Sequence, residues 1–375
     1  MTPATTDPTP YVATCLDLPA GSPGGSVELF LDIYTGPSPL IRADAFMLAP
    51  GTGSPQVPGL SQLTVAGKCL EGPEFRRYVD RLRQGLAERI DPGKIDIVHL
   101  QHLAFGGTPA LCAVLPDHPQ IALVHGTDLL FAQTHPDQLQ VLRDTAQHAS
   151  AIVVPTAAMA DRLVGLAPGT DRAKIHQIAW GIPDHLHAQT PPSTQRPVDE
   201  LRLLYAGRLT SEKGGDNLIR VLAGVGGIHL SIAAPEGEFD ALAPGLDRSG
   251  VPFSYLGWLD RRRLWEIFAD YDVLLMPSTT LEAMGLVALE AQACGLPVIY
   301  QPVPGLIDAL GDSALATDFT DAASVTKVID RFKASAALRA ELRDHGRANA
   351  ARYPLSRTAA ALAELGRQLT SSCGT

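Results

Sequence analysis

A chain of 375 residues exceeds what one ordinary hydrophobic core can organise and points to about two domains. Its 45% hydrophobic and 19% charged residues make a globular balance, and a formal net charge of −10 argues against nucleic acid or an anionic membrane as a default partner. Five scattered cysteines without a C-x-x-C indicate neither a disulfide framework nor a zinc site, so a reducing cytoplasm is expected.

The opening MTPATTDPTP has no positive n-region and no apolar h-region, so no signal peptide is expected there. In SPGGSVEL (Ser22–Leu29), Gly24 and Gly25 precede a helix, and a double glycine alone marks a turn. The loop Gly51–Leu60 carries no readable code. Phe75, Tyr78, Val79, Leu82, Leu86 and Ile90 share one face of a helix. Arg76, Arg77, Arg81, Arg83 and Arg89, mixed with Asp80 and Glu88, give that helix an ordinary solvated face rather than a membrane-docking one.

Asp96–Leu100 (DIVHL) reads as a strand leading to His99 and His102. That H-x-x-H leaves a strand, where the spacing suits chelation poorly and no third ligand is evident, so packing or acceptor contact is favoured over metal. Strand Ile121–Val124 ends in HGTD, with His125 either a core histidine or a hydrogen-bonding group, and Asp128 either an acceptor contact or a helix cap. Ala151–Val154 is the next strand. The segment His187–Glu200, HAQTPPSTQRPVDE, is proline-rich and polar and reads as a linker between domains at 1–186 and 201–354.

Strand Leu201–Ala206 runs into GRLTSEKGG, which sets Arg208 and Lys213 on the following loop. Two cations there can neutralise a diphosphate and stabilise its departure. Only six of the thirty basic residues are lysine, so a lysine in this loop is a less casual choice. After strand His229–Ala233, YLGWLDRRRLWEIF places Gly257 and Trp258 at a strand end, with Trp258 either stacking on a base or belonging to the core. Strand Asp272–Met276 is followed by the loop PSTTLEAM and the helix GLVALEAQAC, which stops at Gly295 before strand Pro297–Tyr300. Gly285 opens that helix, where bare N–H groups and the dipole suit an anion. Glu282 and Glu290 are too far apart to grip one small group. They either accept from two sugars flanking a diphosphate, or serve as a loop acid and the partner of a distant arginine. After Tyr353–Pro354, Leu355, Leu362, Leu365 and Leu369 mark a last amphipathic helix.

Continuous apolar strands alternating with helices predict α/β architecture with parallel sheets covered on both faces, and ligands at the carboxyl ends of the strands. Glu282–Ile299, E-A-M-G-L-V-A-L-E-A-Q-A-C-G-L-P-V-I, resembles the E-x7-E signature of family 4 retaining glycosyltransferases, which have the GT-B fold of two Rossmann-like domains. Spaced motifs extend the resemblance from about residue 23 to 369. It implies a donor domain at 201–354, an acceptor-side domain at 1–186, and a C-terminal helix, 355–375, returning to the latter.

By the same resemblance, Glu282 and His125 contact the donor sugar and Glu290 the ribose. The Gly285–Leu286 amides, Arg208 and Lys213 hold the diphosphate, while Gly24 and Gly25 loop under the leaving phosphate. The nucleobase is bound around Trp258, and His99, His102 and Asp128 lie on the acceptor side. Two departures stand out: Met284 replaces the usual Phe, and WGIP puts Trp180 and Pro183 where N-G-[IV]-D has Asn and Asp. The implied activity is metal-independent, retaining transfer from a nucleotide-diphosphate sugar, and an acidic chain with no membrane device suggests a small, soluble acceptor within specialised metabolism. A GT-B sugar-nucleotide epimerase and a non-catalytic nucleotide-sugar-binding protein are the alternatives.

Overall fold

Strands sheathed by helices on both faces need no polar face, and apolar residues fill them without alternation. In the computed structural model, which describes residues 9–50, 57–188 and 200–372, such strands build two parallel sheets. The chain divides into two units. One holds the residues up to Trp180 together with those from Leu355 onward, and the other holds Gly181–Pro354.

The first unit contains β1 (Val12–Pro19), β2 (Ala43–Leu48), β3 (Leu60–Leu63), β4 (Ile97–Leu100), β5 (Gln120–Leu123), β6 (Ala151–Val154) and β7 (Ile175–Gln177). They pair in the order β3-β2-β1-β4-β5-β6-β7, parallel throughout. The second unit contains β8 (Leu201–Ala206), β9 (Ile228–Ala233), β10 (Phe253–Gly257), β11 (Val273–Met276), β12 (Val298–Tyr300) and β13 (Leu315–Ala316), in the order β10-β9-β8-β11-β12-β13, again parallel. Both orders are Rossmann-like. In each sheet the chain winds outward from a central strand, then crosses to its other side, leaving a crevice beyond the carboxyl ends of β1 and β4, and of β8 and β11.

The strand expectations lie within one residue of the observed elements wherever the run is uniformly apolar. The helix over Gly72–Ala87 buries Phe75, Tyr78, Leu82 and Leu86. Ile90 is buried just beyond its end. The passage between units differs from the expectation. The backbone N–H of Ile182 donates to the Tyr353 carbonyl at 2.9 Å, and Ile182 bridges to Pro354, so residues 181–188 already belong with the second unit. Of the proline-rich stretch 187–200, residues 189–199 lie outside the described residues, as do 51–56 of the Gly51–Leu60 loop.

The last helix, Leu355–Ser372, packs within the first unit. Leu355, Leu362 and Leu365 are buried, Thr358 Oγ1 donates to the Ala179 carbonyl at 2.7 Å, and a methyl at Gly366 would touch Ile97 and Pro10. Among the described residues no helix is long and apolar enough to cross a membrane. Truncating a fully buried leucine removes transfer energy and leaves a cavity, so Leu362→Ala should destabilise the first unit by about 2–5 kcal/mol. Chemical denaturation followed by far-UV circular dichroism checks this, and a shift below about 1 kcal/mol would mean the helix is not an integral part of that core.

Candidate functional site

The crevice at β8 and β11 is framed by two loops, Gly207–Gly214 and Pro277–Gly285. They are stitched by backbone. The Thr279 N–H donates to the Glu212 carbonyl at 2.8 Å, and Thr279 Oγ1 donates to the Ser211 carbonyl at 3.1 Å. Gly214 has a φ of +74° and caps the helix Gly215–Leu222. A Cβ on it would collide with the Pro277 carbonyl oxygen. Glycine there therefore permits both the left-handed turn and the close approach of the loops.

This stitching brings Lys213 and Glu282 together as an ion pair between Nζ and Oε1, and Ser278 Oγ donates to the same oxygen at 2.6 Å. Glu282 is only 8% exposed, so its carboxylate needs that cation and hydroxyl. Arg208 points elsewhere: its Nε lies 3.5 Å from Glu238 Oε1, while Glu238 Oε2 accepts from the Leu209 N–H at 2.5 Å. Glu238, which sequence reasoning did not single out, thereby orients the Arg208 loop. Gly285, with φ +63°, is the N-cap of the helix Leu286–Ala293, whose first backbone N–H groups have no carbonyl a turn earlier to bond. Met284 is buried, so its side chain is packing, and only its backbone is available to a donor. Leu286 is partly buried at the first helical position.

Glu290 is not adjacent to these groups by any bond. It is 4% exposed, and its Oε1 accepts from Arg261 Nε at 2.8 Å and Nη2 at 2.5 Å. Its Oε2 accepts from Trp265 Nε1 at 2.9 Å. The distant-arginine alternative thus describes its partner in this structure. Trp258, at the end of β10, is 43% exposed and not a core residue.

In the first unit the residues at the β1/β4 crevice form a different kind of site. Asp17 Oδ2 accepts from the Gly106 N–H at 3.1 Å, and Lys68 Nζ sits 3.7 Å away while donating to the Asp17 carbonyl. Asp128 accepts from the N–H groups of Leu103 at 3.0 Å and His125 at 3.3 Å. Gln138 Oε1 accepts from the Phe105 N–H at 2.8 Å. Phe105 has a φ of +69°, a strained geometry for a non-glycine, and these three side chains hold the segment that contains it. Asp128 is fully enclosed and tied to backbone, so its side chain braces two loops rather than facing an acceptor. His99 is buried, with Nδ1 2.7 Å from the Tyr34 hydroxyl, and is a packing residue as it stands.

His102 and His125 have ring centroids 4.9 Å apart, and His125 stacks on Trp180 at 5.5 Å. Trp180 is buried and donates Nε1–H to the Val124 carbonyl at 3.1 Å, so the departure from the usual asparagine gives His125 an aromatic wall. The buried His125 Nε2 has no partner among the described residues. Gly24 caps the helix Gly25–Tyr34, with open space around its α-carbon.

Residues 44–186 match the family model described as Glycosyltransferase Family 4, and residues 188–349 match that of Glycosyl transferases group 1. A D-inositol 3-phosphate glycosyltransferase of Xylanimonas cellulosilytica is 30% identical over 315 residues, covering 74% of this chain and 73% of the relative. The chain belongs to glycosyltransferase family 4. A relative of the same description in Mycolicibacterium smegmatis is 29% identical over 65% of this chain, which spans 62% of that relative's length. The structure of Anabaena HepE in complex with UDP and glucose has a TM-score of 0.77 at 19% identity, covering 96% of this chain and 100% of that one. Sucrose-phosphate synthase of Thermosynechococcus elongatus has a TM-score of 0.78 at 18% identity, covering 97% and 100%. The glycosyltransferase has the GT-B fold.

Burial pushes the imidazoles of His99 and His102 down to about 3 and that of His125 well below its ordinary range, with His102 adding to the last. Burial also raises the Asp128 carboxyl to about 6, against four backbone hydrogen bonds that lower it. Below pH 6.5 the unfolded chain protonates three histidines that the folded state keeps neutral, so stability falls with pH. Below pH 6 folded Asp128 gains a proton that the unfolded chain takes up only near 3.8, which offsets one of the three. Between pH 5 and 4 the first unit should therefore lose about 3 kcal/mol per pH unit. Urea denaturation across pH 4–7 checks the slope, and a flat profile would mean that these imidazoles are solvated.

Proposed function

We propose that the chain transfers a glycosyl group from a nucleotide-diphosphate sugar to a small, soluble acceptor with retention at the anomeric carbon. The observation that carries this reading is the Lys213–Glu282 pair beside the Gly285 helix start, at the crevice of a Rossmann-like sheet. A leaving diphosphate develops negative charge, and an ammonium, a guanidinium and bare helix amides are the groups that stabilise it. In this reading Lys213 and Arg208 turn from their carboxylate partners toward the diphosphate, and Glu282, steadied by Ser278, accepts from hydroxyls of the donor sugar.

No conventional nucleophilic carboxylate is assigned. The acceptor attacks on the leaving-group face of an oxocarbenium-like centre, and the protein contributes position and charge complementarity. In this reading Arg208, Lys213 and the Gly285 amides supply the positive complement of the diphosphate, and no metal is assigned. His125, kept neutral by burial, offers a hydrogen-bonding nitrogen at the crevice of the first sheet. The donor class is supported by UDP and glucose in the Anabaena HepE complex. A small polar polyol as acceptor is supported by the D-inositol 3-phosphate glycosyltransferases among the relatives.

Incubation with uridine, guanosine and adenosine diphosphate sugars and a panel of polyol acceptors should release nucleotide diphosphate only when an acceptor is present. Conversion of donor alone would identify an epimerase instead, and donor-induced thermal stabilisation without release under any condition would identify a binding protein. Lys213→Ala should lower kcat/KM by on the order of 10²-fold, the scale of one preorganised charge donor. Unchanged kinetics in a folded variant would remove Lys213 from the assigned role.

A further inference from the structure

We infer that Arg261 is a positioning residue that fixes Glu290 as the acceptor for the donor's ribose, and so sets discrimination between ribosyl and deoxyribosyl donors. The inference rests on the donor reading above and deepens it. A carboxylate has about four acceptor positions, and Arg261 and Trp265 occupy three of those on Glu290, both on Oε1 and one on Oε2. Among the described residues one position on Oε2 is left, with a direction fixed by the other three, as a single sugar hydroxyl requires.

Two features show how firmly the carboxylate is held. Arg261 is the first residue of the helix Arg261–Ile267, capped by Asp260, whose side chain accepts from the Arg263 N–H at 2.9 Å. A cation at the positive end of a helix is disfavoured, so its placement there is compensated through Glu290. The pair is also enclosed, with side-chain exposures of 11% for Arg261 and 5% for Glu290, and the guanidinium lies 5.2 Å over the Trp265 ring. Two bonds from one planar guanidinium and a third from a rigid indole hold the carboxylate plane, which a flexible lysine would not do. Without Arg261 the carboxylate would be buried, short of donors and free to rotate.

The test compares binding of uridine, guanosine and adenosine diphosphates with their 2′,3′-dideoxy analogues by calorimetry, in wild type, Arg261→Gln, Arg261→Lys and Glu290→Gln. Wild type should prefer the ribose form of its nucleotide by about tenfold or more, the scale of a hydrogen bond to a buried charge. Arg261→Gln should reduce that preference to about threefold or less by weakening the ribose form while leaving the dideoxy form nearly unchanged. Arg261→Lys should fall between, and it decides the matter if Arg261→Gln does not fold. In turnover the loss should enter KM for the donor with little change in kcat, because a ribose contact serves ground and transition states alike. An Arg261 variant that keeps the full preference while Glu290→Gln loses it overturns this inference and leaves the ribose role standing. A wild type that binds nucleotide without preference overturns this inference and leaves the donor reading standing, whereas one that binds none of the nucleotides overturns both.

Discussion

The Lys213 loop and the Glu282 loop can meet only because residue 214 has no side chain. Any Cβ there would strike the Pro277 carbonyl, and the backbone turn itself is left-handed. From that contact follow the Thr279 bonds to Ser211 and Glu212, the pairing of Lys213 with Glu282, and the placing of both beside Gly285. Charge complementarity at the end of the second sheet is thus a consequence of backbone packing, not of side-chain reach. A long lysine alone could sample many positions, whereas a lysine on a pinned turn returns to one.

The two crevices solve different problems. Beyond β8 and β11, cations and carboxylates are paired at the surface of the loops, with Lys213 and Arg208 each roughly two-fifths exposed. Beyond β1 and β4, the polar groups are turned inward: Asp17, Asp128 and Gln138 satisfy backbone N–H groups of the segment 103–106. Buried amides must be satisfied, and three side chains from three parts of the chain do so around the strained Phe105. The second crevice presents its cations at the surface, while the first is braced from within by its own backbone partners.

The sequence was legible where chemistry and location coincide locally. Ala151–Val154 and Leu201–Ala206 are unbroken apolar runs and are strands at those positions. The central strand β1 escaped because Thr14 and Asp17 interrupt its pattern. Both are buried and satisfied by distant groups, Thr14 by the His99 carbonyl and Asp17 by Gly106. The same limit applies at the site. Lys213 and Glu282 stood out as a cation and an acid on loops after strands, but Glu238, Arg261 and Trp265 lie 25 to 29 positions from the groups they hold. Nothing local marks an arginine in Arg261-Arg262-Arg263 as the buried one, since only the docking of two helices selects it. The sequence leaves Trp258 between stacking on a base and belonging to the core, and its exposure after β10 is a property of the sheet rather than of its neighbours in sequence.

The helix Leu355–Ser372 gives the chain an order of assembly. The first unit needs it, yet it is translated after the whole of the second unit. Domains fold as units during synthesis, so the contiguous Gly181–Pro354 unit can complete itself on the ribosome while the unit begun earlier waits for its final helix. Over that interval the apolar surface that Leu355, Leu362 and Leu365 will cover is open to solvent, making the nascent N-terminal half, not the later one, the natural client of a chaperone.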